Sequence, residues 1–222
     1  MSADDWRLAV GSLWPITAGA VRGTIPLTLL SFVGGMAIAV PVALLRLSRR
    51  MALAGLARAY VSVIRGTPLL VQLFVVFYGL PSLGLVIDPW PSAIIAFSLN
   101  VGGYASEVVR AAILSVPRGQ WEAAYVIGMP HRTALQRIIL PQAARVSVPP
   151  LSNTFIALVK DTSLASLILV TELFREAQQV AAFSQQFMLL YLEAALVYWV
   201  ICLALSFGQG RLEKGLDRYV AH

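Results

Sequence analysis

Charge is what this chain has least of. Of its 222 residues only 13% are Asp, Glu, Lys or Arg, while 58% are apolar and the mean hydropathy is +0.76. A water-soluble domain of this size could not cover its surface with so few polar groups. Lysine is almost missing: Lys160 and Lys214 are the only two, and neither belongs to a G-x-x-x-x-G-K-[ST] loop, so the nucleotide-phosphate cradle of that kind is excluded. A single cysteine, Cys202, excludes an internal disulfide. His131 and His222 are not spaced as a metal pair and no nucleophile–base arrangement emerges, which argues against a membrane-embedded enzyme. No low-complexity linker or tandem repeat divides the chain, which reads as one domain over residues 1–222.

What fills the sequence instead is long uncharged runs. A hydrocarbon layer about 30 Å thick needs roughly 20 apolar residues of helix. Four runs are candidates: Gly23–Leu45 (23 residues), Gly66–Ile87 (22), Pro89–Ser106 (18) and Ala194–Gly210 (17). They are continuous rather than alternating with period two, which argues against a β-barrel. The acidic start, Asp4-Asp5, and the length of the first run argue against a cleavable signal peptide. A fifth span must precede Ala194. From Val146 to Val159 it would be too short, so it extends to about Val170 and carries Lys160 and Asp161 to membrane depth. The alternative, a start near Ile138, avoids that burial but takes in Arg145, Pro141, Pro149 and Pro150. The expectation is an all-α membrane protein with five spans at about 23–46, 67–87, 91–108, 146–170 and 188–210.

Arginine and lysine beside the spans set the orientation. With the N-terminus outside and the C-terminus cytoplasmic, the inner side gathers thirteen basic residues, Arg46 to Arg65, Arg110 to Arg145, and Arg211, Lys214 and Arg218, against four acids. The outer side has three basic residues and six acids. This asymmetry accounts for the net charge of +6 as a topology signal, with no nucleic acid needed.

One amphipathic stretch interrupts the apolar pattern on the expected inner side, between residues 117 and 141. Glu122 sits in the first turn after Gly119, Ala123, Ala124 and Ile127 make one apolar face, and Gly128-Met129-Pro130 ends the helix. A second short helix from His131 carries Leu135, Ile138 and Ile139 on one side. An amphipathic hairpin resting on lipid is the plainer alternative. The order and spacing of Glu122-Ala123-Ala124, Gly128, Ile138 and Leu140-Pro141, however, resemble the cytoplasmic coupling loop of membrane subunits of ATP-driven, binding-protein-dependent importers. Arg65-Gly66-Thr67-Pro68-Leu69-Leu70-Val71-Gln72, Tyr104-Ala105-Ser106-Glu107, Pro117-Arg118-Gly119-Gln120-Trp121-Glu122 and Lys160-Asp161-Thr162-Ser163-Leu164-Ala165 are similar to signature segments of the polar amino acid permeases, the histidine/glutamine/arginine/opine group. Pro130-His131 departs mildly from that pattern, which usually has a small polar residue there.

The resemblance implies a type I ABC importer transmembrane domain in the bacterial cytoplasmic membrane. Two ATPase subunits would bind the ATP, a second permease subunit of the same or a related chain would complete the pathway, and an external solute-binding protein would deliver a polar amino acid. The chain alone would hold no cofactor and catalyse nothing. Glu122, Ala123, Ala124, Gly128, Ile138, Leu140 and Pro141 would meet the ATPase.

Polar groups at membrane depth are the candidates for the solute pathway. Asn100 precedes Gly102-Gly103-Tyr104, where close helix packing is the alternative to a pathway role. Pro149-Pro150, followed by Ser152, Asn153 and Thr154, should interrupt regular helix. Lys160 and Asp161 would each cost roughly 2.5–3.5 kcal/mol facing lipid, so they belong in a pathway or in a structural ion pair. Glu107 and Arg110, three residues apart, read as a local pair. A proton-coupled secondary carrier using Asp161 or Glu193 remains the other functional class.

Overall fold

The uncharged runs fold as helices, but the helices outrun them. A computed structural model describes residues 3–217; Arg218 and His222 lie outside the described residues. Helix α1 (Ala3–Gly19) passes through a π-helical turn (Ala20–Thr24) into α2 (Ile25–Arg46) without a break. The first helix therefore begins about twenty residues before the expected span.

The second expected span is preceded by a helix of its own. Helix α3 (Met51–Gly66) meets α4 (Leu69–Phe74), which continues through a π turn and a 3-10 turn to Leu83, at a bend of 107°. The bend falls at Thr67-Pro68. Both residues are extended: Thr67 because the residue before proline is pushed out of the helical region, and Pro68 as the N-cap of α4. Thr67 does not cap the following helix: its hydroxyl donates back to Val63 O at 2.8 Å. Helix α5 (Pro89–Ser115) starts with proline in its first turn and runs past Glu107 and Arg110.

A short helix, α6 (Arg118–Val126), comes next. Then α7 (His131–Ala134), a π turn (Leu135–Ile139) and α8 (Leu140–Asp161) form one helical path that ends in a 3-10 segment, Thr162–Ile168. The fourth helix thus takes the earlier start that the sequence left as the alternative, with Arg145 and both prolines inside it. Proline's fixed φ is a helical φ, so the path survives Pro149-Pro150 despite the two missing N–H groups. Ser152 and Thr154 hydroxyls donate back to Val148 O and Pro150 O, each at 2.9 Å. The path stops at Leu169, in the left-handed region with φ 66°, where Val170 N–H reaches Ala165 O. No glycine marks that stop, so it could not be read from residue type. Helix α9 (Leu173–Ser184) follows at 49° to the preceding path, and α10 (Phe187–Asp217) is the last helix of the described residues.

Among the described residues three helices are long and apolar enough to cross a membrane, or up to five if each bent pair counts as one span. The most extensive packing joins α2 to α5. Small residues make it possible: a Cβ on Gly35 would lie 2.4 Å from Val101; against α3, likewise, one on Gly103 of α5 would lie 2.5 Å from Ile64. A central core gathers Leu27, Leu73, Phe97, Val101 and Leu158. A second cluster joins Ala43, Val109, Ile113 and Ile139 beside the α6–α7 hairpin. A third, of Ile16, Ala20, Leu173, Ala177 and Ala194, ties α1, α9 and α10 together at the other end.

Candidate functional site

Two places in the fold concentrate polar chemistry, and the first is the hairpin. Pro117 is extended and α6 begins at Arg118, so Gly119 falls inside the helix and Glu122 stands in its second turn rather than its first. Glu122 is exposed. Gly128 has φ +75°, its N–H donates to Tyr125 O at 2.9 Å, and Met129 N–H donates to Ala124 O at 3.0 Å. This paired closure of a helix end requires a residue in the left-handed region, which glycine occupies without steric cost.

The apolar face of α6 differs from the expected one. Ala124 is buried, whereas Ala123 and Ile127 are exposed beside Val126. Ile138 and Leu140 are half-buried and Pro141 is exposed. What anchors the hairpin is an aromatic set that the sequence reading did not single out. His131 stacks on Trp121 with ring centroids 4.9 Å apart, and the Tyr125 hydroxyl lies 2.8 Å from His131 Nδ1. His131, part of the departure from the family pattern, therefore ties the second helix of the hairpin to the first across the Gly128 turn. Gln142 Nε2 adds a bond to Gln120 Oε1 at 3.2 Å across the hairpin. Between hairpin and bundle lies a cavity of 730 Å³, lined by Leu47, Ile113, Trp121, Glu122 and Leu135 among others.

The end of the bundle next to the hairpin carries an ion cluster. Glu107 pairs with Arg46 from α2, with Arg110 at 3.1 Å and with Arg65 of α3 at 3.5 Å. The local Glu107–Arg110 pair is present, and two further helices converge on the same carboxylate. Arg65 also lies over the Tyr104 ring, 5.5 Å from its centroid.

The second place is a cavity of 340 Å³ at the α3–α4 bend, between α5 and α8. Asn100, Tyr104 and Asp161 all line it, together with Thr67, Pro68 and Thr154. Asp161 is its one charged wall. Lys160 and Asn153 are not in it. Lys160 lines a separate groove with Tyr191, Trp199 and Cys202, and Asn153 accepts from Gln209 Nε2 at 3.0 Å. Helical geometry explains the division. Thr154 and Asp161 are seven residues apart and share a face of α8; Asn153 and Lys160 share another, about 100° away and turned to α10. Thr154 was the residue to pair with Asp161, and the seven-residue interval was the signal. No ion pair joins Lys160 to Asp161 among the described residues. Glu193 is elsewhere again, accepting from Ser12 at 2.6 Å where α10 meets α1.

The glycines beside Asn100 serve packing, as the sequence alternative had it: Gly102 faces Tyr60 and Ile38, and Gly103 faces Ile64. Asn100 itself does more, because its Nδ2 donates to Gln72 Oε1 at 3.0 Å.

Known proteins of the same build place this geometry. Residues 31–218 match the family model described as the binding-protein-dependent transport system inner membrane component. The chain is 59% identical over 221 residues to the L-cystine transport system permease protein TcyB of Bacillus subtilis (strain 168), covering 99% of this chain and 94% of that protein. It is 37% identical over 212 residues to the nopaline transport system permease protein NocM of Agrobacterium fabrum, covering 91% and 88%. The crystal structure of an amino acid ABC transporter with histidines superposes with a TM-score of 0.89 at 32% identity, over 96% of this chain and 99% of that one. The MetNI methionine ABC transporter shares the fold, with a TM-score of 0.71 at 19% identity. The helical path broken at Thr67-Pro68, the projecting Glu122–Gly128 hairpin and these full-length matches agree, and the chain belongs to the family of inner-membrane components of binding-protein-dependent transport systems.

Proposed function

We propose that this chain is the permease subunit of an ATP-driven amino acid importer and that L-cystine, or an amino acid of similar size, is the solute it passes. The cavity at the α3–α4 bend carries this reading: one carboxylate, one carboxamide and three hydroxyl-bearing residues converge there, beside a largely apolar core. A zwitterionic amino acid presents an ammonium group that such a wall can take up. Near-full-length similarity to an L-cystine permease supports the choice of solute.

In this reading the hairpin end faces the cytoplasm, where the basic residues concentrate. Each of two permease subunits, identical or related, rests on one of two ATPase subunits through Glu122, Ala123, Ala124 and Gly128, with Ile138, Leu140 and Pro141 bracing the hairpin from behind. Val126 and Ile127, 86% and 71% exposed, give that contact an apolar tip. ATP binds to the partner subunits. A solute-binding protein delivers the amino acid from the other side, and the bundle opens alternately to the two faces of the bacterial cytoplasmic membrane. Asn100, Tyr104 and Asp161 contact the solute, while Asn153 and Lys160, on the α10-facing side of α8, belong to a neighbouring surface. A proton-coupled carrier would need a chain of titratable groups, and Asp161 and Glu193 stand in separate environments.

The test is the complete transporter in proteoliposomes with its binding protein inside the assay. L-Cystine should stimulate ATP hydrolysis and accumulate only with ATP. Uptake that proceeds without ATP and follows a proton gradient would overturn the reading.

A further inference from the structure

Gln72 makes more polar contacts than any other uncharged side chain around the cavity. Its Nε2 donates to Ile64 O at 2.7 Å, to Thr67 O at 3.1 Å and to Thr67 Oγ1 at 2.9 Å, while its Oε1 accepts from Asn100 Nδ2 at 3.0 Å. The 107° break between α3 and α4 leaves the last carbonyls of α3 without helical N–H partners, and the Gln72 amide supplies the missing donors from one turn into the next helix. One end of the side chain staples the break. The other end holds a residue of the cavity wall.

We propose that Gln72 is a positioning residue for solute selection: it fixes the Asn100 carboxamide so that its oxygen is presented to the solute beside Asp161. The inference rests on the proposed solute cavity and adds the device that orders it. A carboxamide has two donors and one acceptor group, and a free Asn can turn either face inward. Anchoring Nδ2 on Gln72 Oε1 removes that freedom. Among the described residues no donor engages Asn100 Oδ1, so the acceptor remains available. A cavity wall of a carboxylate and a fixed amide oxygen accepts an ammonium donor; with the amide reversed, its N–H groups would meet that ammonium instead and repel it. Because Thr67 and Asn100 line the same cavity, the shape of the helix break and the orientation of the amide are set by one side chain.

The experiment measures equilibrium binding of radiolabelled L-cystine to the purified permease–ATPase complex, without the binding protein, so that affinity reports the membrane site. Gln72→Met, which keeps length and loses every polar contact, should weaken binding about tenfold. Asn100→Leu should weaken it at least as much, and Gln72→Met in the Asn100→Leu background should add less than twofold, since Gln72 acts through Asn100. Gln72→Glu separates the two ends: it keeps an acceptor for Asn100 Nδ2 and loses the donors to α3. It should retain affinity within about threefold while lowering the thermal midpoint, and it serves equally if Gln72→Met fails to assemble. Independent, multiplicative losses in the double variant, or loss of binding in an assembled Gln72→Glu complex, would overturn the proposal and leave Gln72 a staple of the break only. If Asp161→Asn and Asn100→Leu both bind L-cystine normally, the cavity is not the solute site and both readings fall together.

Discussion

Glu107 and Glu172 are both held inside the helical bundle, and the chain holds them by opposite means. Glu107 stands at the hairpin end among three guanidinium groups, from Arg46, Arg65 and Arg110. Glu172 stands where α1, α9 and α10 meet, and its side chain is completely buried. Its partners are neutral: Tyr198 OH donates at 2.8 Å, Arg175 N–H at 2.7 Å and Thr24 Oγ1 at 3.3 Å. Thr24 and Arg46 lie 22 residues apart on one continuous helical path, which separates the two sites by roughly 33 Å. The difference teaches what each end can tolerate. Arginines near the hairpin keep part of their surface accessible, so a surplus of positive charge persists there at little cost. At the other end no cation approaches Glu172 closely enough for an ion pair among the described residues, and hydrogen bonds replace the counter-ion.

The largest effect should come from breaking the neutral cage. Glu172→Leu removes the cap of α9 and takes away the acceptor of the Tyr198 hydroxyl, the Thr24 hydroxyl and the Arg175 N–H in the interior, at a cost of about 3 kcal/mol. The backbone is already in close contact there: Gly23 lets the π-helical turn after α1 approach so closely that a Cβ on it would sit 2.5 Å from Glu172 Cα. Thermal unfolding of the purified complex should show a large drop for Glu172→Leu and a smaller one for Glu172→Gln, which keeps an acceptor oxygen. Equal midpoints for Leu and wild type would mean that the cage contributes nothing.

An intermediate effect should follow from Glu107→Gln, and its dependence on salt sharpens the contrast. Removing the anion leaves three arginines facing one another, a loss of about 1–2 kcal/mol for partly exposed charges. Screening over about 10 Å at 0.1 M and about 3 Å at 1 M ionic strength should shrink that loss. The Glu172→Leu deficit should stay constant over the same range. Parallel salt responses of the two variants would erase the distinction between the two ends.

The same contrast explains what the sequence made legible. Glu107 and Arg110 are three residues apart on a helix, so half of that cluster could be read directly. Glu172 meets residues 148 and 26 positions away, and no local pattern announces it. Span identity was legible from uncharged runs, but the helix ends were not. The break at Thr67-Pro68 falls where the second span was expected to start, but Leu169 enters the left-handed region without glycine and Pro149-Pro150 fails to break a path. In the cavity, composition pointed to Asn100, Tyr104 and Asp161. The face on which Asn153 and Lys160 fall was decided by helical phase, and Gln72 was hidden inside a motif read for resemblance alone.

The smallest effect on the fold, with the clearest effect on work done, should come from Gly128→Val. The hairpin projects from the bundle, and its closure depends on a left-handed residue that a β-branched side chain enters only at a cost of roughly 1–2 kcal/mol. That strain has no route into the three cores, because nothing lies within 4 Å of a Cβ at Gly128. The spans should therefore insert and the melting midpoint should move little, in contrast with both carboxylate variants. The strain acts instead on the pairing of Met129 N–H with Ala124 O, and so on the angle at which Glu122 and Ile127 project. If the hairpin is the contact through which ATPase closure is transmitted, the variant at matched abundance should bind the ATPase more weakly or hydrolyse ATP without moving solute. Normal ATPase association together with a normal ratio of solute moved to ATP consumed would remove the hairpin from the coupling path, while leaving the structural comparison between the two ends untouched.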